Sequence, residues 1–154
     1  MKIKAKPMID ENFSEYGQLI RQPERVREAG DSHAYVGNLV HLKANEITVG
    51  YLTAYAHDPF YETLEQHKDT AEMLVILSGQ GAIPFAKPGD DANDGLTALH
   101  VKQGDTILMK PAVWHGLITP VDCESVDLLV VFKVGTEEND LHFEDLENTL
   151  EIVL

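Results

Sequence analysis

Residues 65–79 read Glu-Gln-His-Lys-Asp-Thr-Ala-Glu-Met-Leu-Val-Ile-Leu-Ser-Gly. From Glu72 onward successive side chains of an extended chain would alternate, so Glu72, Leu74 and Ile76 share one face and Met73, Val75 and Leu77 the other. A strand that is apolar on both faces belongs in the middle of a sheet. Upstream, Glu65 and His67 lie two apart and share a face of an extended segment. His67 and Glu72 are five apart, an odd spacing that would put them on opposite faces of one straight strand. They converge only if Lys68-Asp69-Thr70-Ala71 forms a turn or bulge. The stretch therefore predicts strand, turn, strand, with polar side chains gathered at the bend.

The same grammar extends on both sides. ITVGYLTAYA from Ile47, GAIPFAK from Gly81, LTALHV from Leu96, TILMK from Thr106, WHGLI from Trp114 and VDLLVVFKV from Val126 are short and rich in branched or aromatic residues. Ser78-Gly79-Gln80-Gly81 reads as a tight hairpin, and Lys87 to Gly95 as a longer polar loop. About seven strands with no helical period between them predict an all-β, antiparallel sandwich or barrel, the class that contains jelly rolls. Before them, Asp10 to Ile20 opens with a good N-cap residue and spaces Phe13 and Tyr16 as a short helix would, limited by Gly17. Residues 21–30 are polar and read as an exposed loop. The acidic tail carries apolar residues at Leu141, Phe143, Leu146, Leu150 and Val153, which suit either a short amphipathic helix or a closing strand. The expected organisation is one domain over residues 1–154, with an N-terminal arm to 46, a barrel core over 47–135 and a tail over 136–154.

Composition narrows the function classes. The 154 residues hold 12 Lys and Arg against 26 Asp and Glu, a formal charge of −14, with 44% hydrophobic and 25% charged residues. That mixture is globular, neither disordered nor collagen-like. Its negative charge disfavours nucleic acid and anionic lipid, which need cations at the contact. The one cysteine, Cys123, cannot make an internal disulfide, and no apolar run approaches the length of a membrane span. A cytoplasmic protein is the expectation. No Gly-x-Gly-x-x-Gly or Walker loop points to a nucleotide.

About forty residues after Glu65 to Gly79 comes Gly104-Asp105-Thr106-Ile107-Leu108-Met109-Lys110-Pro111-Ala112-Val113-Trp114-His115. Together the two segments resemble the paired motifs of the cupin superfamily, His-x-His, four residues, Glu, six residues, Gly, then Gly, five residues, Pro-x-Gly, two residues, His. The resemblance implies a jelly-roll β-barrel. It sets Glu65 at the first His, His67 and Glu72 at the second His and the Glu, and His115 at the last His. This chain departs from the pattern with Glu65 for His, Lys110 for Pro, Ala112 for Gly and Thr119 where Asn often stands. Imidazole and carboxylate together suit a divalent ion such as Zn, Mn, Fe or Ni, so His67, Glu72 and His115, with Glu65, are the expected metal ligands.

A narrower resemblance rests on FSEYGQLI, LEQHKDTAEMLVILSG, AVWHGLI and VDLLVVFKV. These are similar to stretches of the ureidoglycolate lyase family, formerly ureidoglycolate hydrolases, over roughly residues 9 to 134. Members commonly carry Gln where this chain has Glu72, which makes it more like a metal-binding cupin. The resemblance implies elimination of urea from ureidoglycolate to give glyoxylate. That reaction needs a base, an acid and a cation for the substrate carboxylate. Glu65 or Glu72, whichever is less committed to the metal, is the expected base, and Lys110 the expected partner of the substrate carboxylate. The alternatives are another metal-dependent cupin enzyme, an isomerase or dioxygenase, or a non-catalytic module that binds a small molecule.

Other residues carry weaker signals. His33 in the arm and His57 before Pro59 are candidates for the rim of the pocket, whereas His41, His100 and His142 have no partner at a telling spacing. Trp114 reads as a core or pocket-wall aromatic, and Cys123 as a small loop side chain. The two-sided apolar character of VDLLVVF implies a cover on its outer face, with a homodimer as the first expectation.

Overall fold

A strand apolar on both faces belongs between neighbours on both edges, and the stretch from Glu72 lies there, buried on its inner face and only partly covered on its outer one. The computed structural model describes residues 1–21 and 41–153. Along the chain run β1 (Lys2–Lys4), β2 (Lys6–Pro7), α1 (Asp10–Phe13), β3 (Gly17–Ile20), β4 (Ile47–Tyr55), β5 (Phe60–Gln66), β6 (Glu72–Ser78) and β7 (Gln80–Ala86). Next come β8 (Thr97–Lys102), β9 (Thr106–Met109), β10 (Trp114–His115), β11 (Thr119–Pro120), β12 (Ser125–Lys133), α2 (Thr136–Asn139) and β13 (His142–Val153). One sheet of eight strands is ordered β1-β13-β5-β10-β7-β8-β2, with β11 also paired to β7; the other, of five, is ordered β3-β9-β6-β12-β4. The pairings are antiparallel apart from the short β1–β13 and β2–β8 contacts. This is the all-β, antiparallel barrel that the strand spacing allowed, of the jelly-roll type that the family resemblance implied.

β6 lies between β9 and β12. Its inward residues Glu72, Leu74 and Ile76 are buried and Leu77 is exposed, as the alternation requires. Between the sheets pack Phe13, Phe85, Leu99, Ile107, Met109 and Val126. Register sorts the larger sheet: Trp114 sits opposite Gln66 and Ala86, whereas His115 sits opposite Glu65 and Phe85. Since Phe85 belongs to the core, Glu65 and His115 face the barrel interior. Trp114 faces outward and joins Leu64, Ala86, Leu146, Leu150 and Ile152 in a second apolar cluster.

Three local expectations change. Helix α1 is a single turn, and Gly17 opens a strand instead of ending a longer helix. A Cβ on Gly17 would lie 1.9 Å from the Leu108 carbonyl oxygen, so only glycine lets β3 approach β9 this closely. Ser78 to Gly81 is not a hairpin, because β6 and β7 pair in different sheets. Gly79, at φ 76°, turns the chain over the rim of the barrel. The tail forms α2 and then the twelve-residue strand β13, which closes the larger sheet against β5. The arm is woven into the barrel through β1, β2 and β3. The loop expected over 21–30 and His33 lie outside the described residues beyond Arg21, whose guanidinium donates to the Met8 carbonyl at 2.9 Å. Among the described residues no helix is long and apolar enough to cross a membrane.

Candidate metal centre

The bend between β5 and β6 carries the chain from one sheet to the other, so His67 and Glu72 meet across the barrel instead of along a strand. β10 adds His115, directly opposite Glu65, as antiparallel neighbours whose side chains share a face. The result is a tight group. Oε2 of Glu72 lies 3.2 Å from Nε2 of His67 and 3.2 Å from Nε2 of His115, and all three side chains are no more than 8% exposed. One ligand atom from each lies within 4.8 Å of the others.

Distance alone would suggest ion pairs, but direction argues otherwise. Glu72 Oε2 and His115 Nε2 are fully buried with no aligned hydrogen-bond partner, a condition that costs about 1–3 kcal/mol per group when nothing compensates it. Ligands held at about 2.0–2.2 Å from a common ion stand roughly 3.0–3.5 Å from one another, which is the spacing seen here. The remaining ring nitrogens are oriented as ligand histidines usually are. His67 Nδ1 lies 2.9 Å from the Asp140 carbonyl, which can only accept, so Nδ1 carries a hydrogen and Nε2 is the nitrogen that faces the centre, its lone pair open to an ion once the ring is neutral. His115 Nδ1 lies 3.5 Å from Oε1 of Glu65. The donor set and its supports thus fit a divalent cation.

Electrostatics agree. Burial pushes His67 down, but the nearby Glu72 carboxylate, the Asp140 carbonyl and the charge of Glu65 outweigh it and raise the imidazole to about 8. Burial pushes Glu72 up, and His115 and His67 more than reverse it, holding the carboxyl at about 2. Together the shifts describe a buried carboxylate and its imidazole neighbours, each stabilising the other's charge.

The profile of the ureidoglycolate lyase family matches residues 1–153. The chain belongs to the ureidoglycolate lyase family. Membership makes it a lyase-family enzyme. No curated protein matches it significantly in sequence. Solved structures share its fold: the 3,4-ketoisomerase QdtA from Thermoanaerobacterium thermosaccharolyticum is 18% identical, with TM-score 0.52 over 81% of this chain and 85% of that one. The capsular polysaccharide assembling protein CapF from Staphylococcus aureus is 14% identical, with TM-score 0.54 over 68% of this chain and 30% of that one. Oxalate decarboxylase OxdC of Bacillus subtilis is 17% identical, with TM-score 0.45; the match covers 65% of this lyase-family chain and 24% of the decarboxylase. At these identities the likeness to QdtA and CapF is one of fold alone.

Within this ureidoglycolate lyase family member, a cavity of about 370 Å³ opens onto the centre. Glu65, His67, Glu72 and Glu137 form its polar side, and Leu52, Val130 and Phe132 its apolar side. A larger depression of about 620 Å³ beside α1 is shallow and lined by Lys6, Glu11, Glu15 and Tyr16, far from any ligand set; the chemistry assigns the site to the smaller cavity. Glu65, with a side chain 33% exposed, stands outside the three-atom group, against the far nitrogen of His115. Lys110 points elsewhere. Its ammonium donates to the carbonyls of Ser14 at 2.8 Å and Glu15 at 3.0 Å, and its backbone N–H to Tyr16 at 2.8 Å, a bond that the proline usual at this position could not make. Ala112, standing where the motif has glycine, adopts φ 64°, so the left-handed turn is kept without the residue best suited to it.

Among the described residues the other histidines lie outside the group. His57 is exposed, with Nδ1 2.8 Å from the Asp58 carbonyl and Nε2 3.3 Å from that of Ile118. His142 Nε2 is 3.5 Å from Asp140, His100 is half-buried on β8, and His41 is exposed. Trp114 donates to the Gly89 carbonyl at 3.1 Å, and Cys123 is half-buried with its thiol 3.3 Å from the Gln80 carbonyl. Sequence reasoning missed Glu137 and Asp140. Both sit in the acidic tail, where nothing in the pattern separates them from their solvated neighbours.

Proposed function

We propose that this chain eliminates urea from ureidoglycolate, leaving glyoxylate, with His67, Glu72 and His115 holding a divalent ion. The observation that carries the reading is the pair of buried, unbonded ligand atoms of Glu72 and His115, converging within a member of this family. An ion held there would supply Lewis acidity toward the substrate hydroxyl and the positive charge its carboxylate needs, since no Lys or Arg is among the described residues of the wall. The chain's own residues then have separate tasks. Glu72 is committed to the centre, held ionised by two imidazoles. Glu65 is the base: it faces the cavity, is partly exposed, and touches the centre only through His115. It takes the hydroxyl proton as the carbonyl of glyoxylate forms, the C–N bond breaks with its electron pair on nitrogen, and the same carboxyl returns the proton to the departing urea. Leu52, Val130 and Phe132 limit water on the opposite wall. Lys110, tied to the arm, takes no part.

Metal analysis of untagged protein beside a His67→Ala/His115→Ala variant, with glyoxylate release assayed on the same samples, tests the reading. Equal metal in both proteins refutes the centre. Metal without release moves the substrate search to other small acids and sugars. Glu65→Gln should cut turnover by about a hundredfold or more while leaving metal content intact.

Two coarser features join this proposal. β4 exposes Val49 and Tyr51 beside Leu129 and Val131 of β12, an apolar outer face that suits a homodimer; a monomeric mass in solution would remove it. With Cys123 unpaired, the cytoplasm is the proposed compartment.

A further inference from the structure

The bend at residues 68–71 is what allows residues five apart to face each other, yet its amides lie outside the ladders of both sheets. Asp140, from the far end of the chain, supplies what they lack. Its Oδ1 accepts the N–H of Lys68 at 2.8 Å, its Oδ2 accepts that of Asp69 at 3.0 Å, and its carbonyl faces Nδ1 of His67 at 2.9 Å. The residue is 8% exposed. It is fixed in turn by α2: its own N–H donates to the Thr136 carbonyl at 2.9 Å, and the Thr136 hydroxyl donates to the Lys133 carbonyl at 2.7 Å, with the Thr70 hydroxyl 3.4 Å away. A single tail residue thereby sets the tautomer of one ligand and the path of the chain to the next.

Resting on the metal-centre reading, we propose that Asp140 is a positioning residue that governs the affinity of the centre without touching the ion. Outer partners of this kind typically change metal affinity about 10–100-fold when removed. Carboxylate and carbonyl act on different members of the set, so the backbone contact to His67 survives side-chain substitution while the bend loosens. Asp140→Asn keeps one acceptor oxygen for two amides, and Asp140→Ala keeps none.

Zinc alone is the probe, titrated into metal-free protein in competition with a chelating dye, with thermal unfolding of the zinc-free and zinc-loaded forms alongside. Asp140→Asn should bind zinc about tenfold more weakly than the natural protein and Asp140→Ala about a hundredfold, with a smaller zinc-induced rise in Tm in the same order. Asp145→Asn, which alters a carboxylate of β13 bonded to Thr63 at 3.0 Å, should leave zinc affinity unchanged. Should the alanine variant not fold, the asparagine variant decides. Zinc affinity of Asp140→Asn within twofold of the natural protein overturns the proposal. A natural protein that takes up no zinc, and no manganese, iron or nickel in the same titration, overturns the metal centre itself, and the clamp with it.

Discussion

Glu72→Gln is the substitution whose consequences are worked out most fully by the geometry. Glutamine keeps the shape of the side chain and removes its charge, leaving two imidazoles aimed at a neutral amide. In metal-free protein, the fall of the Glu72 carboxyl from 4.5 to about 2, at about 1.4 kcal/mol per pKa unit, makes its ionised form worth about 3 kcal/mol near neutral pH. Viewed from His67, the rise from 6.5 to about 8 gives about 2 kcal/mol for one of the two imidazoles that hold Glu72, the other and larger influence being His115. The two figures overlap and do not add; a loss of about 2–3 kcal/mol is the expectation.

The pH dependence has a definite sign. His67 has its folded pKa above its ordinary value, so its contribution is full below 6.5 and lost as pH rises through about 8. Glu72 has its folded pKa below its ordinary value, so its contribution is full above 4.5 and lost as pH falls toward 2. The deficit of the variant is thus greatest between 4.5 and 6.5 and shrinks in mild alkali. Urea denaturation of chelator-treated natural and variant protein, at about pH 6 and about pH 9, measures both. A variant within about 0.5 kcal/mol of the natural protein at the lower pH, or a deficit that does not change between the two, refutes the reasoning.

Further substitutions probe other parts of the argument. Lys110→Ala removes an exposed tie to two arm carbonyls, so it should cost about 1 kcal/mol of stability and leave kcat/KM within about twofold; a tenfold fall would return Lys110 to the substrate carboxylate. Gly17→Ala drives a Cβ to 1.9 Å from the Leu108 carbonyl oxygen, and the forced parting of β3 from β9 should cost about 3 kcal/mol or more, read by unfolding and by exchange of the β3 amides. Ala112→Gly relieves a left-handed alanine; a gain of about 1–2 kcal/mol from the backbone, less about 0.4–1 from the freer unfolded chain, should raise stability by roughly 0.5–1 kcal/mol. A lower denaturation midpoint for that variant would show that the turn is not strained.

How far the sequence reached differs from element to element. The alternation in β6 was enough to predict a central strand, because the side-chain period of an extended chain is a local property, whereas the odd spacing of His67 and Glu72 said only that a bend is needed if they are to meet, and the family resemblance supplied the expectation that they do. The placement of His115 beside Glu65 followed the motif spacing, and the register of β10 against β5 realises it. Pairing partners are another matter. Ser78 to Gly81 has the composition of a hairpin, yet it crosses between sheets, since turn residues specify a change of direction and not which edges then meet.

What the sequence by itself determined was therefore the all-β character and most strands of the barrel core between Ile47 and Lys133, the acidic composition and, through the family resemblance, a ligand set that includes His67, Glu72 and His115. Those depend on residue type and near-neighbour spacing. Only the tertiary structure decided that Glu65 stands beside the group instead of within it, that Lys110 is spent on the arm, and that Asp140 reaches back over more than seventy residues to hold the bend. Such contacts form between segments far apart in the chain, where no local pattern encodes distance, and they exist because closing the barrel brings its last strand against the loop that carries the first ligand.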